Sequence, residues 1–450
     1  MRKAVALVSL FVCALASNAF AQFKDYPQPT FKVQPLAVSD LPSWMSLDMD
    51  LRARSEAQTS INYLSGNAQA YELTRARGGL EIRPTHWLTA YAQFHDVHAL
   101  GLPLKFTGAS MRDSFDLRQA YLNLHFKPVS IFAGRQELKF GDERLVGIQD
   151  WTNISRTFDG FDARVGDKNR IDLFTASAVV IFPTAFDNHA GGLTFHGAYG
   201  SINTWVPRTT IEPYVFIRAL RLVTSQQGIA GTKTETTPGM RVAGNVPGGF
   251  DYIAEGALQR GSYSNDSIHA GAGYVKAGYT ASPIPWSPRL QGEYDYATGN
   301  AHRDPQRIGT FDQLYPSNHD VFGLVDLFGW QNIKETRARL SLRPAHNWTV
   351  LVEQDFLRAA TTKDGIYNGA AVEFAKPPAG GFLTDDIGRG FDASMKYAFH
   401  NYLLLQAGVG HFSPGELMRD NSHGAPLTLS YVGFTYRFKM NREESSPGQK

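Results

Sequence analysis

Cysteine is almost absent from this 450-residue chain, whose one cysteine is Cys13. That residue lies in the apolar run Ala4–Ala16, which follows a basic pair and precedes Ala19-Phe20-Ala21, the small residues that a signal peptidase prefers. We therefore predict a signal peptide over residues 1–21. In the exported chain we expect no disulfide, no lipid anchor and no thiolate metal site.

Long hydrophobic runs are missing after residue 21, where no segment offers the roughly 18 apolar residues of a membrane-spanning helix. The 44 Lys and Arg nearly balance the 42 Asp and Glu, so bulk charge does not favour nucleic acid. No nucleophile-elbow or HExxH pattern occurs. His95 and His98 would lie on opposite faces of a strand instead of sharing a metal. We expect no catalytic residue, no metal and no other cofactor.

The sequence instead shows a two-residue period of apolar and polar residues. About eighteen segments alternate apolar and polar residues, and the connections between them alternate between short and long. Short turns at one end, long loops at the other and an even strand number are typical of bacterial outer-membrane barrels. We therefore predict an all-β fold, a transmembrane antiparallel β-barrel of about 18 strands with short periplasmic turns and long extracellular loops.

The domain boundaries follow from the first and last of these segments. We predict an N-terminal periplasmic segment over residues 22–45, the barrel over 46–438 and a polar C-terminal tail over 439–450. Among the long loops we predict 141–156 and 222–236. The protein is expected in the outer membrane of a Gram-negative cell.

The charged face of each strand should line the lumen, because an arginine facing lipid near the midplane costs about 2–4 kcal/mol. Three segments each bring an Arg-x-Arg pair to this face. The pairs are Arg52 and Arg54, Arg75 and Arg77, and Arg337 and Arg339. The direction of Arg118 stays open, because it shares its parity with Leu122, Leu124 and Phe126.

The segment Ser130–Phe140 shows the same alternation. Its charged residues Arg135, Glu137 and Lys139 are predicted to face the lumen. Its apolar residues Phe132, Leu138 and Phe140 are predicted to face lipid. The residues that follow, from Gly141 to Arg156, are predicted to form an extracellular loop whose charges fold into the mouth of the barrel.

Three motifs in this region resemble the signature of the alginate export family of outer-membrane proteins. They are Gly134-Arg135-Gln136-Glu137-Leu138, Gly141-Asp142-Glu143-Arg144-Leu145-Val146-Gly147 and Asp150-Trp151-x-Asn153-x-x-Arg156-x-Phe158-Asp159-Gly160. The resemblance implies an eighteen-stranded monomeric barrel that exports an anionic uronate polymer through a narrow, arginine-rich pore. It also implies that Arg135, Arg144, Arg156 and Arg164 line the constriction, with Asp162 as a countercharge.

The residues support an anion path independently of the resemblance. Guanidinium groups bind carboxylates through paired hydrogen bonds, and rings of Arg or Lys select anions in pores. The alternative is a purely structural role, in which these charges form salt-bridge ladders that only fill and stiffen the barrel. A general porin for uptake of small anionic solutes, an outer-membrane hydrolase and a non-catalytic adhesion barrel remain as rival functions. Expected partners are outer-membrane lipid, the polysaccharide, the barrel-assembly machinery and periplasmic export components.

Overall fold

The computed structural model describes residues 28–225, 228–301 and 306–442 of the chain. Within these residues eighteen antiparallel strands close into one barrel, which confirms the predicted fold and strand number. The barrel closes where its first strand pairs with its last, from Leu47 opposite Met440 to Gln58 opposite Leu429. The predicted signal peptide lies outside the described residues, as do residues 443–450 of the predicted tail.

The barrel strands are numbered in chain order. They are β1 Met45–Gln58, β2 Gln69–Thr85, β3 Leu88–Leu100, β4 Asp113–Phe126, β5 Val129–Gln136, β6 Phe158–Gly166, β7 Arg170–Val180, β8 Leu193–Ser201, β9 Thr209–Thr224, β10 Ala230–Val246, β11 Phe250–Tyr263, β12 Asp266–Thr280, β13 Arg289–Ala297, β14 Ile333–Leu342, β15 Trp348–Ala359, β16 Asp386–Phe399, β17 Leu403–Pro414 and β18 Leu427–Arg442.

Several shorter elements lie outside the eighteen barrel strands. They are the strands Gln34–Val38, Asn188–His189, Arg307–Ile308, Ile366–Tyr367 and Glu373–Ala375, the helix Glu416–Asp420 and the 3-10 turns Ile61–Tyr63, Leu104–Phe106 and Asn318–Asp320. Among the described helices, none is long and apolar enough to cross a membrane.

The connections differ in length at the two ends, as predicted. At the periplasmic end β4 and β5 are joined through residues 127–128, whereas at the opposite end β5 and β6 are joined through residues 137–157. The predicted long loop 222–236 is wrong, because β9 continues to Thr224 and β10 already begins at Ala230. Threonine-rich, polar residues on both faces of this hairpin hide the alternation that marks a membrane strand.

The two termini of the described chain meet at the periplasmic end. The strand Gln34–Val38, from the predicted periplasmic segment, pairs in parallel with the end of β18, from Phe438 to Arg442. Residues 439–442 therefore belong to the last strand, although the polar composition of this stretch predicts a tail.

The outer face of the barrel is apolar. Phe161 is 59% exposed, Phe356 53% and Val432 60%, so large apolar side chains are left uncovered by protein on several strands. At the periplasmic end Trp87 stacks on Phe126 with ring centroids 5.7 Å apart, in the manner of an aromatic girdle. This surface requires the lipid of a membrane to cover it.

The lumen contains a hydrophobic core on one side. Phe158, Phe174, Phe195 and Phe216 point inward from β6 to β9 and are at most 5% exposed. The rings of Phe174 and Phe195 lie 5.0 Å apart, and those of Phe195 and Phe216 lie 5.7 Å apart. Loops that fold into the barrel thus find an apolar wall to pack against.

Candidate functional site

Residues 137–157 fold into the lumen, and we call them the inward loop. Leu138, Val146 and Ile154 are at most 2% exposed although they lie between strands and not within them. Burying these side chains draws the loop inside the barrel. Charged residues of the same loop then reach opposite walls.

Leu138 and Phe140 do not face lipid, so that part of the prediction is wrong. Strand β5 ends at Gln136, and both residues belong to the inward loop. Phe140 stacks on Tyr199 with centroids 4.7 Å apart and on Phe174 at 5.5 Å. The two-residue period does not apply beyond the end of the strand, because the backbone there leaves the wall.

Arg135 lies on the outer face of β5, contrary to the predicted lumen position. It has the parity of Ile131, which is 36% exposed, and its partner Asp159 has the parity of the exposed Phe161. Arg135 Nε lies 2.8 Å from Asp159 Oδ1 near the extracellular end, where an ion pair outside the barrel is tolerated. Arg135 is therefore removed from the pore-lining set.

One end of the inward loop is held by buried ion pairs, and we call residues 141–145 the buried arm. The Asp142 carboxylate lies 2.9 Å from both Lys276 Nζ and the Tyr274 hydroxyl of β12. It also accepts a hydrogen bond from Arg241 of β10. The carboxylate thus ties the loop to the wall formed by β10 and β12.

Arg144 anchors the same arm more deeply. Its guanidinium group pairs with Glu293 and Asp295 of β13, and the side chains of all three residues are at most 1% exposed. The guanidinium carbon lies 3.7 Å from the centre of the Tyr274 ring. Arg144, predicted to line the constriction, is sealed inside the protein.

The other end of the loop is held by arginines on the opposite wall. We call the set Arg52, Arg54, Arg75, Arg77 and Arg118 the arginine clamp, and residues 149–155 the clamped arm. Arg52 of β1 donates hydrogen bonds to the main-chain oxygens of Asp150 and Thr152, each at 2.7 Å. The predicted lumen direction of the β1 and β2 arginines is therefore confirmed.

Two further clamp residues hold the same backbone. Arg54 donates to the carbonyl of Trp151 at 3.0 Å, and its guanidinium carbon lies 3.5 Å from the centre of that indole. Arg77 of β2 donates to the carbonyl of Ile154 at 2.5 Å and to Ser155 Oγ at 2.8 Å. The guanidinium groups that the sequence predicts to bind a substrate thus donate their hydrogen bonds to carbonyl oxygens of the loop.

The Asp150 carboxylate lies at the centre of the clamp. Its Oδ1 is 2.9 Å from Arg75 Nη1, 3.2 Å from Arg77 Nη1 and 2.7 Å from Ser155 Oγ. Burial alone would raise the pKa of Asp150, but Arg75, Arg77 and Arg52 hold that pKa well below its usual range. Asp150 is an ionised carboxylate between guanidinium groups.

Arg118 points inward because of a β-bulge. In the pairing of β3 with β4, Gln93 lies opposite Gln119 and Phe94 opposite Leu117, so Arg118 is left without a partner and the parity changes. Arg118 donates to Gln93 Oε1 at 2.7 Å and pairs with Glu137 at the start of the inward loop. The bulge resolves the direction that simple alternation leaves open.

Arg156 connects the inward loop to a second inward-folded segment, residues 311–332. It donates to the carbonyls of Tyr315 at 2.6 Å and Pro316 at 3.1 Å. Burial lowers the pKa of Arg156 to about 10, which still leaves it charged at neutral pH. The two segments therefore support each other inside the lumen.

Arg337 and Arg339 of β14 face the lumen, as predicted, but do not contact the clamped arm in any described hydrogen bond or ion pair. Arg337 Nε lies 2.6 Å from Asp355 Oδ1 and 3.1 Å from Glu353 Oε1, and Arg339 pairs with Glu353. On this wall the observed arrangement is the salt-bridge ladder that the sequence allows as an alternative.

The remaining predicted residues line a cavity of about 350 Å³ between the inward loop and the periplasmic end. Glu137, Lys139, Asp162 and Arg164 all contribute to its surface. Arg164 is 34% exposed, and its Nε lies 2.7 Å from Asp162 Oδ2. The Phe132 ring, predicted to face lipid, lies inward here with the Arg164 guanidinium carbon 4.1 Å from its centre.

Two cations on β18 extend the clamp wall toward the periplasm. Arg437 Nε lies 2.6 Å from Asp50 Oδ2, and Lys439 Nζ lies 3.3 Å from Glu81 Oε1. The alternation of the last strand already places Arg437 opposite its apolar residues, yet the polar composition after Phe438 conceals Lys439. Both belong to the site that the structure shows.

Two groups of three carboxylates lie close enough to share a cation, with ligand atoms within 4.8 Å of one another. In one group, Glu353 and Asp355 are already paired with arginines, as described above. In the other, Asp113 binds His95 Nε2 at 2.7 Å. His95 lies inward and His98 outward, as their spacing predicts.

The sequence and the fold are both similar to those of known outer-membrane proteins. A model of the alginate export family matches residues 43–426. No match was found among curated proteins. The structure is similar to Pseudomonas aeruginosa OccK11 (OpdR), with TM-score 0.57, 11% identity and coverage of 90% of this chain and 100% of that chain. It is also similar to Acinetobacter baumannii OccAB2, with TM-score 0.61, 9% identity and coverage of 89% of this chain and 100% of that chain. For P. aeruginosa OpdK with vanillate, the TM-score is 0.59 and the identity 10%, with coverage of 88% of this chain and 98% of that chain.

Proposed function

Because this chain belongs to the alginate export family, we propose that it exports an anionic, uronate-type polysaccharide through an arginine-lined lumen in the outer membrane. The observation that carries the proposal is the wall built by β1, β2 and β18. Its guanidinium groups already bind a carboxylate and several carbonyl oxygens, so the chemistry of the wall matches that of an acidic sugar polymer.

The wall offers successive cationic sites from the periplasmic end upward. Lys439 and Arg437 come first, followed by Arg75 and the rest of the clamp, and the carboxylates of Glu81 and Asp50 lie between them. Alternating charges keep each site from holding a polyanion too strongly, and conduction requires such release. The proposed pore-lining set comprises Arg52, Arg54, Arg75, Arg77, Glu137, Lys139, Asp162, Arg164 and Arg437, with Arg144, Arg156, Arg337 and Arg339 as supporting cations.

Anion preference in planar bilayers tests this proposal. Arg437→Gln and Arg164→Gln remove water-accessible cations, which are 37% and 34% exposed. We expect the reversal potential in a KCl gradient to move toward cation preference in each variant. Arg135→Gln is the matched control, because it removes an arginine from the outer face. A wild-type channel without anion preference would overturn the proposal.

Uptake of small anionic solutes is the second candidate, and the size of the cavity favours it. A volume of about 350 Å³ lies at the low end of small-molecule sites. OpdK, which was solved with vanillate, has the same fold. Mannuronate oligomers of increasing length separate the two functions. An exporter should be blocked for longer times as the oligomer grows, whereas a small-solute porin should pass the monomer and exclude the longer forms.

We further propose that the chain acts as a non-catalytic monomer. The predicted signal peptide would bring it to the barrel-assembly machinery, and periplasmic export components would supply the polymer. Size-exclusion chromatography with light scattering tests the monomer. Ester or lipid hydrolysis by the purified protein, lost on substitution of a single Ser or His, would favour the hydrolase instead.

A further inference from the structure

Asp150 is the carboxylate that the arginines of the wall bind. Its Oδ1 lies within 3.2 Å of Nη1 of both Arg75 and Arg77, and its Oδ2 lies 3.7 Å from Nη2 of Arg437. The carboxylate is supplied by the inward loop and the guanidinium groups by the wall. The chain thus presents to the clamp the same functional group that every residue of a uronate polymer carries.

Access to water distinguishes this ion pair from those of the buried arm. The Asp150 side chain is 37% exposed, although its partners Arg75 and Arg77 are 0% and 6% exposed. Glu293 and Asp295, which hold Arg144, are 0% exposed. Arg437 is equally open at 37%, and it lies on the periplasmic side of the clamp beside Asp150. An anion that ascends from Lys439 therefore meets Asp150 through a water-accessible cation.

Most other bonds to the clamped arm involve neutral acceptors. Arg52, Arg54 and Arg77 donate to main-chain carbonyls of residues 150–154. In these bonds only the guanidinium donor is charged, whereas a carboxylate adds a charge on the acceptor and can bind a guanidinium group through two parallel hydrogen bonds. A carboxylate that enters the clamp can therefore replace both the Asp150 carboxylate and the weaker carbonyl contacts.

We propose that Arg75 and Arg77 form a carboxylate-binding site that Asp150 fills at rest, and that a uronate carboxylate displaces Asp150 and releases residues 149–155 from the wall. The inference rests on the proposed function for the identity of the ligand. The buried arm remains fixed throughout, so the loop opens from one end only and closes again when the polymer has passed.

Backbone amide hydrogen exchange of the wild-type protein in nanodiscs tests the displacement. A mannuronate trimer should accelerate exchange in residues 149–155 by about tenfold or more, the effect of losing one charge-assisted hydrogen bond. Exchange in residues 141–145 should not change. Maltotriose, a neutral trimer, should leave both arms unchanged.

A pair of variants tests the same inference without a ligand. Asp150→Asn should give the fast exchange of residues 149–155 and a raised single-channel conductance in the absence of mannuronate. Asp142→Asn, which removes a carboxylate from the other arm of the same loop, should leave exchange in residues 149–155 at the wild-type rate. Ser155→Ala, a milder change, should accelerate exchange of the arm by a smaller factor than Asp150→Asn.

The outcomes separate this inference from the proposed function. If the trimer blocks an anion-selective wild-type channel but exchange of the clamped arm stays constant, displacement is wrong and the channel proposal stands. Wild-type exchange in Asp150→Asn would also refute displacement. If the wild-type channel neither prefers anions nor binds the trimer, the proposed function itself fails.

Discussion

The two arms of the inward loop are both held by ion pairs, yet their surroundings are opposite. Arg144 of the buried arm meets two carboxylates that are 0% exposed. Asp150 of the clamped arm meets its arginines while 37% exposed. Water reaches Asp150 and Arg437, which are both 37% exposed, although Arg75 and Arg77 behind them are 0% and 6% exposed. It does not reach the ion pairs of Arg144, so only the clamped arm has a water-accessible carboxylate.

Under the proposed function, this difference distinguishes arginines that anchor the loop from arginines that contact the transported anion. A buried ion pair is costly to break, because loss of one partner leaves the other charged and desolvated. Such a pair suits a permanent anchor. The pair of Asp150 with Arg437, in which both side chains are 37% exposed, can exchange partners at a lower cost, and the proposed passage of an anion requires such exchange.

The largest effect is expected when the anchor of the buried arm is removed. Arg144→Met leaves Glu293 and Asp295 adjacent, buried and without their main countercharge, and should lower the free energy of unfolding by about 3–5 kcal/mol. The midpoint of urea unfolding in detergent measures this loss. The triple variant that adds Glu293→Gln and Asp295→Asn should recover part of it.

A change below about 1 kcal/mol would contradict the anchor role, since losses of that size are typical of exposed pairs. In that case the ion pairs of the buried arm would contribute no more to the free energy of unfolding than exposed ion pairs do.

A smaller and more local effect is expected in the clamped arm. Arg52→Ala removes the donor to the carbonyls of Asp150 and Thr152, and should weaken docking of the arm by roughly 2–3 kcal/mol with little change in barrel unfolding. Single-channel conductance should rise. Arg289→Ala is the control, because this buried lumen arginine pairs with Asp251 and does not contact the loop in any described bond or ion pair. Equal conductance changes in both variants would refute a specific clamp.

Sequence alternation predicts the wall of the barrel well. Arg52, Arg75 and Arg337 all face inward, because a charged residue in a membrane strand has only one face where water or a countercharge can meet it. The number of strands and the sorting of short and long connections follow from the same constraint. These features are local, so a two-residue period is sufficient to predict them.

The alternation of the sequence does not predict which side chains and loops fill the lumen. Arg118 turns inward through a bulge, and Arg135 turns outward because its strand runs in the opposite parity to the one assumed. Phe174 and Phe195 face inward to pack against a loop, although an apolar residue in a membrane strand normally faces lipid. The partners of the clamp come from residues about 70 to 100 positions away, which no local pattern can pair.

Acid should release the clamped arm only at a pH below the usual pKa of a carboxyl group. Burial favours the neutral form of Asp150, but the clamp arginines lower its pKa well below the usual value, so the docked carboxylate stabilises the arm above about pH 4. That stabilisation declines as the pH falls through the depressed pKa. Conductance should therefore be constant from about pH 8 to 5 and rise only below about pH 4. Asp150→Asn should show no such rise, and a rise near pH 6 would exclude Asp150 as the group responsible.

The smallest expected effect concerns Trp151, which the clamped arm inserts between the wall and the second inward-folded segment. Its indole lies against the Arg54 guanidinium and stacks on His319 with centroids 3.6 Å apart. Trp151→Leu keeps an apolar side chain but loses the cation–π contact, so docking should weaken by about 1 kcal/mol, less than in Arg52→Ala. Exchange of residues 149–155 should then accelerate by about fivefold. Acceleration as large as that of Arg52→Ala would mean that aromatic packing, and not the guanidinium hydrogen bonds, holds the arm. In that case a carboxylate could not release the arm by competing for arginines.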